Sequence, residues 1–425
     1  MRTLQYDVVV IGAGLAGLVA AARASSAHPG AADRARVALV ARSSGNLNLW
    51  SGLVGAGRRP RSRPGGGAIE FFLDFTAQAG LPYAGGDGRL ELFSPSGQPV
   101  RPLLAPATMA AGDRVGLLAE NRRPLRGGSS PGLLVTGFTE LTDYPSGLIA
   151  ATITQATGLE TEHRSLSLGP PAVSGLAARV AGLFDDKTWF RDFTESAARV
   201  LGPEAARTGA VAFPPALGLV RFSENVAALE KALRCRVFEL PALPPSVPGQ
   251  RFARFWRHRL ENAHGVQFHA GQVVVGARLE DNRCLWVEDG RTRYEARAFV
   301  LATGGVAGGG LTVPPQAFFA QAGVAVTPSP QRPAGTDTRV TEPIFGAEVA
   351  GEGLDWAKWG VRTGRDGRLR VGGRPLANVF VAGWQLGAAG APSGSERPDA
   401  LGSIESAWRA AGEALHATGK GGERP

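Results

Sequence analysis

A strand that runs into a glycine turn and then into a helix, YDVVVIGAGLAGLVAAARAS at residues 6–25, constrains the fold more than any other stretch of this chain. The apolar run ends at Ile11, and Gly12, Gly14 and Gly17 then follow with GxGxxG spacing before an alanine-rich helix pattern. This order predicts a Rossmann-like α/β fold with a nucleotide bound at the turn; a purely structural turn is the alternative. The predicted contacts are Gly12, Ala13, Gly14, Leu15, Ala16 and Gly17.

The three glycines have different physical tasks in such a turn. Gly12 permits the tight bend, Gly14 lets the backbone approach a pyrophosphate, and Gly17 allows the helix to pack closely on the strand. The N–H groups at the start of the helix then face the anion.

The second strand pattern, RVALVA at residues 36–41, runs into Arg42 instead of the acidic residue that usually binds the ribose. An arginine side chain has no acceptor for ribose hydroxyls. It would pair with a phosphate instead, or the backbone would bind while the side chain turns away. The missing acid weakens the evidence for adenosine recognition and leaves the pyrophosphate site intact.

Further segments are typical of flavoproteins. The segment at residues 43–55 is too polar for a helix and too long for a plain turn, and flavoproteins often pass their backbone along the isoalloxazine ring at this point. Strand patterns end in glycine within residues 297–311 and 376–387. The helix pattern at residues 399–415 begins with small residues that present N–H groups to a flavin carbonyl; an ordinary packing helix is the alternative. We expect further flavin contacts at Arg42, Ser43, Ser51, Gly52, Thr303, Gly304, Gly305, Gly383, Gly402, Ser403 and Ile404.

A middle section has strand and helix patterns of its own. Residues 132–138 predict a strand, residues 173–201 a helix, and Trp189, Phe190 and Phe193 on it have core spacing. A proline-rich loop then leads into a helix that is expected to start near Gly249. The sequence therefore predicts a discontinuous flavin-binding domain, residues 1–85 and 250–425, and an inserted α/β domain, residues 86–249, for substrate or partner docking.

Composition excludes several classes of site. The two cysteines, Cys235 and Cys284, provide neither a disulfide framework nor a cluster for zinc or iron–sulfur. No run of about 18 apolar residues occurs, and the strand pattern starts at Tyr6 without a signal-like stretch. We therefore expect a cytoplasmic chain that does not span a membrane.

The formal charge of +9 comes mostly from arginine and does not by itself indicate nucleic acid. The densest basic stretch lies among prolines and glycines and predicts a solvated loop; a docking surface for acidic protein or phospholipid is the alternative. Its arginines are Arg58, Arg59, Arg61 and Arg63.

Other polar residues give little evidence of a site. His258, His264 and His269 lack the spacing of metal ligands on one helical face, and as strand residues His264 and His269 would point in opposite directions, so we expect no metal site. No catalytic base is identified by a motif. Glu342 is the acidic residue to test first, with a structural role as the alternative.

Seven sequence islands together resemble one family. They are IGAGLAGL, the arginine after the second strand, LNLWSG, LPALPPSVPG, VLATGGVAGGGL, TEPIFG and NVFVAG. The set resembles the B subunit of the anaerobic glycerol-3-phosphate dehydrogenase, within the fumarate reductase/succinate dehydrogenase-like flavoprotein superfamily. LPALPPSVPG and TEPIFG are the most specific islands, whereas residues 55–130 and 155–230 match only in general pattern.

The resemblance implies a subunit of a quinone-linked respiratory complex that oxidises sn-glycerol 3-phosphate to dihydroxyacetone phosphate. It implies two partners, an FAD-bearing A subunit and an iron–sulfur C subunit at the membrane, and hence a peripheral place on the inner face of the cell membrane. This chain would either oxidise its small phosphorylated substrate or relay the electrons. The cofactor is expected to be FAD, with FMN as the alternative because the family too has an arginine after the second strand.

Two other functions stay open. One is a stand-alone FAD-dependent enzyme of the succinate or fumarate type, and the other is a structural subunit with a degenerate flavin site. The chain also departs from the family near its end, where GAAGAPSGSERPDALGS replaces a phenylalanine–aspartate–proline turn and a cysteine-containing stretch. The contacts at Gly402, Ser403 and Ile404 are carried over across this difference.

Overall fold

A computed structural model shows the architecture. It describes residues 1–26, 34–55, 66–113, 132–169, 177–305, 308–312, 327–328, 349–350, 360–361, 363–364, 366–390 and 399–420. The chain divides into two compact units. The first unit comprises Met1–Asn46, Pro60–Phe75 and Phe255–Pro425, and the second unit comprises Leu47–Arg59 and Thr76–Arg254.

Helices and strands alternate along the described residues. The helices α1 to α9 are Leu15–Ser25, Gly66–Gln78, Ala107–Ala110, Ser146–Thr157, Ala177–Phe184, Lys187–Thr208, Phe222–Leu233, Val247–His264 and Ala400–Thr418, and short 3-10 segments span Gly45–Leu49 and Gly383–Gly390. The strands β1 to β20 are Arg2–Ile11, Val37–Ala41, Tyr83–Gly85, Leu92–Phe93, Pro99–Val100, Leu104–Pro106, Leu133–Phe138, Thr161–Leu166, Ala210–Phe213, Arg236–Glu239, Gln267–Ala270, Gly276–Glu280, Arg283–Glu288, Thr292–Leu301, Leu311–Thr312, Thr327–Pro328, Val349–Ala350, Gly360–Val361, Arg368–Val371 and Arg374–Val381.

The main sheet of the first unit is built around β1. Its strand order is β11-β2-β1-β14-β13-β12, and β20 pairs with β14 and with β19. Strands β11, β2, β1, β14 and β20 run parallel. In the register, Ile11 lies opposite both Val40 and Leu301, and Leu301 lies opposite Val381. The carboxyl ends of β2, β1, β14 and β20 therefore meet at one edge of the sheet.

Apolar strands and small helix residues hold the first unit together. Val8, Val9 and Val10 in β1 are fully buried, as expected for a parallel strand covered on both faces. Alanines dominate the buried face of α1, which packs against the terminal helix α9. Helix α9 also lies against β14 and β20. The predicted mixed α/β fold with parallel sheets is confirmed.

The second unit has its own sheet, with the order β10-β9-β7-β8 and all pairs parallel. Its core contains Phe190 and Phe193, which are buried, while the partly buried Trp189 stacks on Phe193 with ring centroids 5.4 Å apart. The prediction that these aromatic residues belong to the core is confirmed for Phe190 and Phe193, and Trp189 packs against that core.

Two local predictions are wrong. The helix predicted over residues 173–201 is two helices, α5 and α6, because the Asp186 carboxylate accepts hydrogen bonds from the N–H groups of Thr188 and Trp189 and starts a new helix there. His264 is the last residue of α8 and not a strand residue. Apolar residues spaced four apart, Phe252, Trp256 and Leu260, extend this helical face, and all three are buried.

Some classes of feature do not occur in the residues that the structure describes. None of their helices is both long and apolar enough to cross a membrane. The same residues contain no group of three or more histidine, cysteine, aspartate or glutamate side chains that could hold a metal ion.

The second unit contains a buried ion pair. Glu239 ends β10 and is fully buried, and its two carboxylate oxygens accept from the Arg251 guanidinium at 2.6 and 2.8 Å. Thr108 Oγ1 and the Leu217 N–H donate to the same carboxylate at 2.8 and 3.1 Å, and Arg251 Nε donates to the Gly218 carbonyl at 2.7 Å. These bonds satisfy both charges, which burial would otherwise penalise.

Substitution of Arg251 by Met should lower the free energy of unfolding by about 3–5 kcal/mol, because it leaves the Glu239 carboxylate buried without its counter-charge. The matched control is Arg191→Met on α6, where the pair with Asp192 is 67% and 63% exposed and the expected cost is below about 1 kcal/mol. Denaturant unfolding followed by circular dichroism measures both. Equal costs for the two variants would contradict the structural role of the buried pair.

Candidate functional site

The carboxyl edge of the first unit's sheet carries the predicted site. Three backbone hydrogen bonds join the ends of its strands: Gly12 N–H to the Val40 carbonyl at 2.9 Å, Ala302 N–H to the Ile11 carbonyl at 2.8 Å, and Ala382 N–H to the Leu301 carbonyl at 2.8 Å. These bonds place the loops after β2, β1, β14 and β20 side by side. In open α/β sheets this edge is where ligands bind.

Gly12 makes the turn after β1 possible. Its φ is +109°, a conformation that other residues rarely adopt, and a Cβ there would lie 2.3 Å from the Ala302 carbonyl oxygen. The close approach of the loops after β1 and β14 therefore requires glycine at this position.

Gly14 borders open space. A Cβ built on it would meet no atom of the described residues within 4 Å. Gly14 is the N-cap of α1, with no side-chain capping bond and no acidic residue in the first turn. The helix N-terminus therefore keeps its positive end for an anion. Gly17 has the predicted packing role, since a Cβ there would lie 1.8 Å from the Gly12 carbonyl oxygen.

The loop after β2 lies beside this turn. Arg42 and Ser43 are exposed, and residues 42–46 contain no carboxylate. A Cβ on Gly45 would lie 3.4 Å from the Gly14 Cα, so the chain passes along the glycine turn two residues after Ser43. Gly45 was not among the predicted site residues, although a glycine after the second strand was a usable signal.

The loops after β14 and β20 are joined by a side-chain bond. Thr303 Oγ1 donates to Gln385 Oε1 at 3.0 Å. A Cβ on Gly305 would lie 3.0 Å from the Trp384 carbonyl oxygen, and Gly304 lies next to Gly305 in the same loop. Thr303, Gly304 and Gly305 therefore lie together with the segment that follows β20.

Gly383 connects this segment to two helices. A Cβ on Gly383 would lie 2.7 Å from the Ala16 Cβ of α1, and the Gly383 N–H donates to the Ser406 Oγ of α9 at 3.0 Å. The structure thus brings the predicted residues of the glycine turn, of the loop after β14 and of the segment after β20 to one place.

The start of α9 partly satisfies its own N–H groups. The Asp399 carboxylate accepts from the Gly402 N–H at 2.8 Å, and the Ser403 N–H donates to the Asp399 carbonyl at 3.0 Å. Burial raises the pKa of the Asp399 carboxyl, and the hydrogen bond from Gly402 offsets part of this increase. Ser403 and Ile404 are buried. The start of this helix is capped and packed within the first unit, and its flavin contacts remain predictions.

The remaining predicted residues belong to the second unit or fall outside the described residues. Ser51 and Gly52 belong to the second unit, where a Cβ on Gly52 would lie 3.0 Å from Pro248 and 3.1 Å from Pro106. Glu342 and the basic stretch at residues 58–63 fall outside the described residues. Gln385 is a polar residue of the site that sequence analysis missed, because no motif marks it.

The two glycines of the turn should respond differently to alanine. Gly12→Ala should cost at least about 1–3 kcal/mol of stability through backbone strain, and more through overlap with Ala302. Gly14→Ala should cost less than about 1 kcal/mol, because its N-cap conformation is extended and its Cβ enters open space. Thermal unfolding of both variants measures the difference. A Gly14 variant as unstable as the Gly12 variant would contradict the open space beside Gly14.

The fold can be compared with solved structures. 3-Ketosteroid Δ1-dehydrogenase from Sterolibacterium denitrificans is 13% identical and aligns over 98% of this chain and 99% of its own, with a TM-score of 0.39. E. coli quinol fumarate reductase is 13% identical over 99% of this chain and 71% of its own, with a TM-score of 0.36.

Two sequence relatives match 90% or more of the chain. No family model matches it. The probable B subunit of the anaerobic glycerol-3-phosphate dehydrogenase of Halobacterium salinarum is 30% identical over 97% of this chain and 99% of the relative. The corresponding B subunit of Yersinia enterocolitica is 25% identical over 90% of this chain and 92% of the relative. The resemblance drawn from the sequence islands is confirmed, and the chain belongs to the family of anaerobic glycerol-3-phosphate dehydrogenase B subunits.

Proposed function

We propose that this chain is a flavin-binding subunit of a quinone-linked sn-glycerol-3-phosphate dehydrogenase. It oxidises glycerol 3-phosphate to dihydroxyacetone phosphate or relays the electrons of that oxidation. The observation that carries the proposal is the full-length match to a named B subunit of this enzyme, 30% identical over 97% of the chain. The partners proposed with it are an FAD-bearing A subunit and an iron–sulfur C subunit that holds the complex at the inner face of the membrane.

The residues of the first unit fit a flavin. The open space beside Gly14 leaves room for a phosphate at the N-terminus of α1, where backbone N–H groups and the helix dipole favour an anion. The fully buried Gln385 side chain has a donor, Nε2, without a partner in the described part of the chain. Gly14, Leu15 and Ala16 would hold the phosphate, and the loops after β14 and β20 would border the ring. A bound flavin supplies a two-electron acceptor for the oxidation of the substrate alcohol.

FAD is the proposed form of the flavin. Charge-assisted hydrogen bonds from helix N-terminal N–H groups are worth roughly 1.5–3 kcal/mol each, comparable with the missing ribose carboxylate contact. The glycine turn thus favours a pyrophosphate even though Arg42 follows β2. FMN, which has one phosphate and no adenosine, is the alternative that this arginine leaves open.

The domain assignment is proposed in the same terms. The flavin-binding part is residues 1–85 and 250–425, and the inserted residues 86–249 serve the substrate or a partner. The described structure supports a separate role for the middle section, because the second unit has its own parallel sheet and aromatic core. Glu342 remains the residue to test as a catalytic base.

Purified protein should carry a yellow chromophore that acid releases completely, because no histidine or cysteine lies in residues 43–55 to attach it. Chromatography of the released flavin should give FAD. If protein free of phosphodiesterase releases only FMN, the cofactor is FMN and not FAD.

Gly14→Val should reduce flavin retention at least about tenfold by occupying the phosphate position. Gly182→Val is the control, because a Cβ at Gly182 also meets no described atom within 4 Å. Full flavin content in the Gly14 variant would contradict this placement.

Anaerobic addition of glycerol 3-phosphate should bleach the flavin absorbance, either with this chain alone or only when the A subunit is present. Bleaching of the isolated chain assigns the oxidation to it, and bleaching that needs the A subunit assigns electron relay. Bleaching by succinate instead of glycerol 3-phosphate would support a stand-alone enzyme of the succinate type. A colourless protein that binds no added flavin would support a structural subunit.

A further inference from the structure

Gln385 has a hydrogen-bonding group that the protein does not use. The side chain is 0% exposed and lies in the 3-10 segment after β20. Its Oε1 accepts from Thr303 Oγ1, while its Nε2 has no hydrogen-bond partner among the residues that the structure describes. Buried amide groups in folded proteins almost always have partners, so this donor requires an explanation.

The segment that carries Gln385 adjoins the first turn of α1, where the phosphate site is proposed. Its segment follows β20, whose last residue, Val381, lies opposite Leu301 of β14. Two residues before Gln385, Gly383 lies against Ala16 in the first turn of α1. The carboxamide therefore belongs to the same cluster of loops as the N-terminus of α1.

The strand order indicates which part of a flavin this cluster would meet. In doubly wound folds the adenosine ribose lies at the end of β2, and the phosphate lies between β1 and α1. In this sheet β14 and β20 lie on the side of β1 away from β2. A cofactor with its phosphate on α1 would therefore place its flavin end, not its adenosine end, at the loops after β14 and β20.

We propose that Gln385 Nε2 donates a hydrogen bond to an acceptor atom of the isoalloxazine ring, and that Thr303 orients the carboxamide for this bond. The ring supplies carbonyl oxygens and ring nitrogens as acceptors. The inference rests on the proposed function, since it requires a bound flavin. It adds a flavin-binding residue outside the set expected from the sequence.

A purely structural role makes a different prediction for the binding of flavin. In the flavin-free protein, replacement of Gln385 by Leu removes the bond to Thr303 and also a buried, unpaired donor, whichever role the residue has. If Gln385 only joins two loops through Thr303, the affinity for flavin should be unchanged. If its Nε2 serves the flavin, the gain in stability on binding flavin should shrink.

The experiment reconstitutes flavin-free wild type, Gln385→Leu, Gln385→Glu and Gln98→Leu with the flavin found by chromatography. Gln98 is exposed in the second unit and serves as the control. Titration by flavin fluorescence should show a dissociation constant about three- to tenfold higher for Gln385→Leu. Gln385→Glu should weaken binding more, because it keeps the acceptor for Thr303 but places negative charge where the donor was. It should also shift the visible spectrum and lower the midpoint potential of the remaining bound flavin. Gln98→Leu should match the wild type.

The outcomes separate this inference from the proposed function. Flavin affinity, spectrum and potential unchanged in both Gln385 variants would overturn the inference while leaving the proposed function in place. Loss of stability in flavin-free Gln385→Leu together with unchanged flavin affinity would overturn it in favour of the structural role. A wild-type protein that binds no flavin would overturn the proposed function and this inference with it.

Discussion

The close contact between Gly12 and Ala302 determines the geometry of the candidate site. Two backbone bonds, Gly12 N–H to Val40 and Ala302 N–H to Ile11, hold the ends of β2, β1 and β14 in line. Because a Cβ on Gly12 would overlap the Ala302 carbonyl, this alignment depends on the absence of a side chain. The positions of the glycine turn, of the loop that carries Thr303 and of the start of α1 all follow from this contact.

The site consists mostly of backbone groups, and this affects how its charge is distributed. The start of α1 leaves its N–H groups without an acidic side chain, whereas the start of α9 uses the Asp399 carboxylate as a cap. Burial raises the pKa of Asp399, so this cap is held at an electrostatic cost. The N-termini of α1 and α9 therefore differ: α1 remains free to attract an anion, and α9 satisfies the Gly402 N–H internally.

Sequence analysis correctly predicted the features that depend on residues close together in the chain. The apolar run before Gly12 predicted β1, and the glycine spacing predicted the turn, because both depend on sequence-local sterics. The break between α5 and α6 was missed because one capping carboxylate, Asp186, outweighed a continuous helical pattern. The assignment of residues 47–59 to the second unit could not be predicted, since it depends on distant contacts. The Ser246 N–H donates to the Asn48 carbonyl at 2.7 Å, and a Cβ on Gly249 would overlap the Leu47 carbonyl oxygen.

A site made of backbone N–H groups tolerates changes of side chain, because most residues can supply the same donor. The glycines that permit close approach are the sequence signal that such a site leaves. A side-chain donor such as Gln385 leaves no such signal, because its role depends on burial and on Thr303, a residue 82 positions away. Glycine patterns therefore locate a site of this kind, whereas the residues that distinguish one cofactor environment from another are found only in the folded structure.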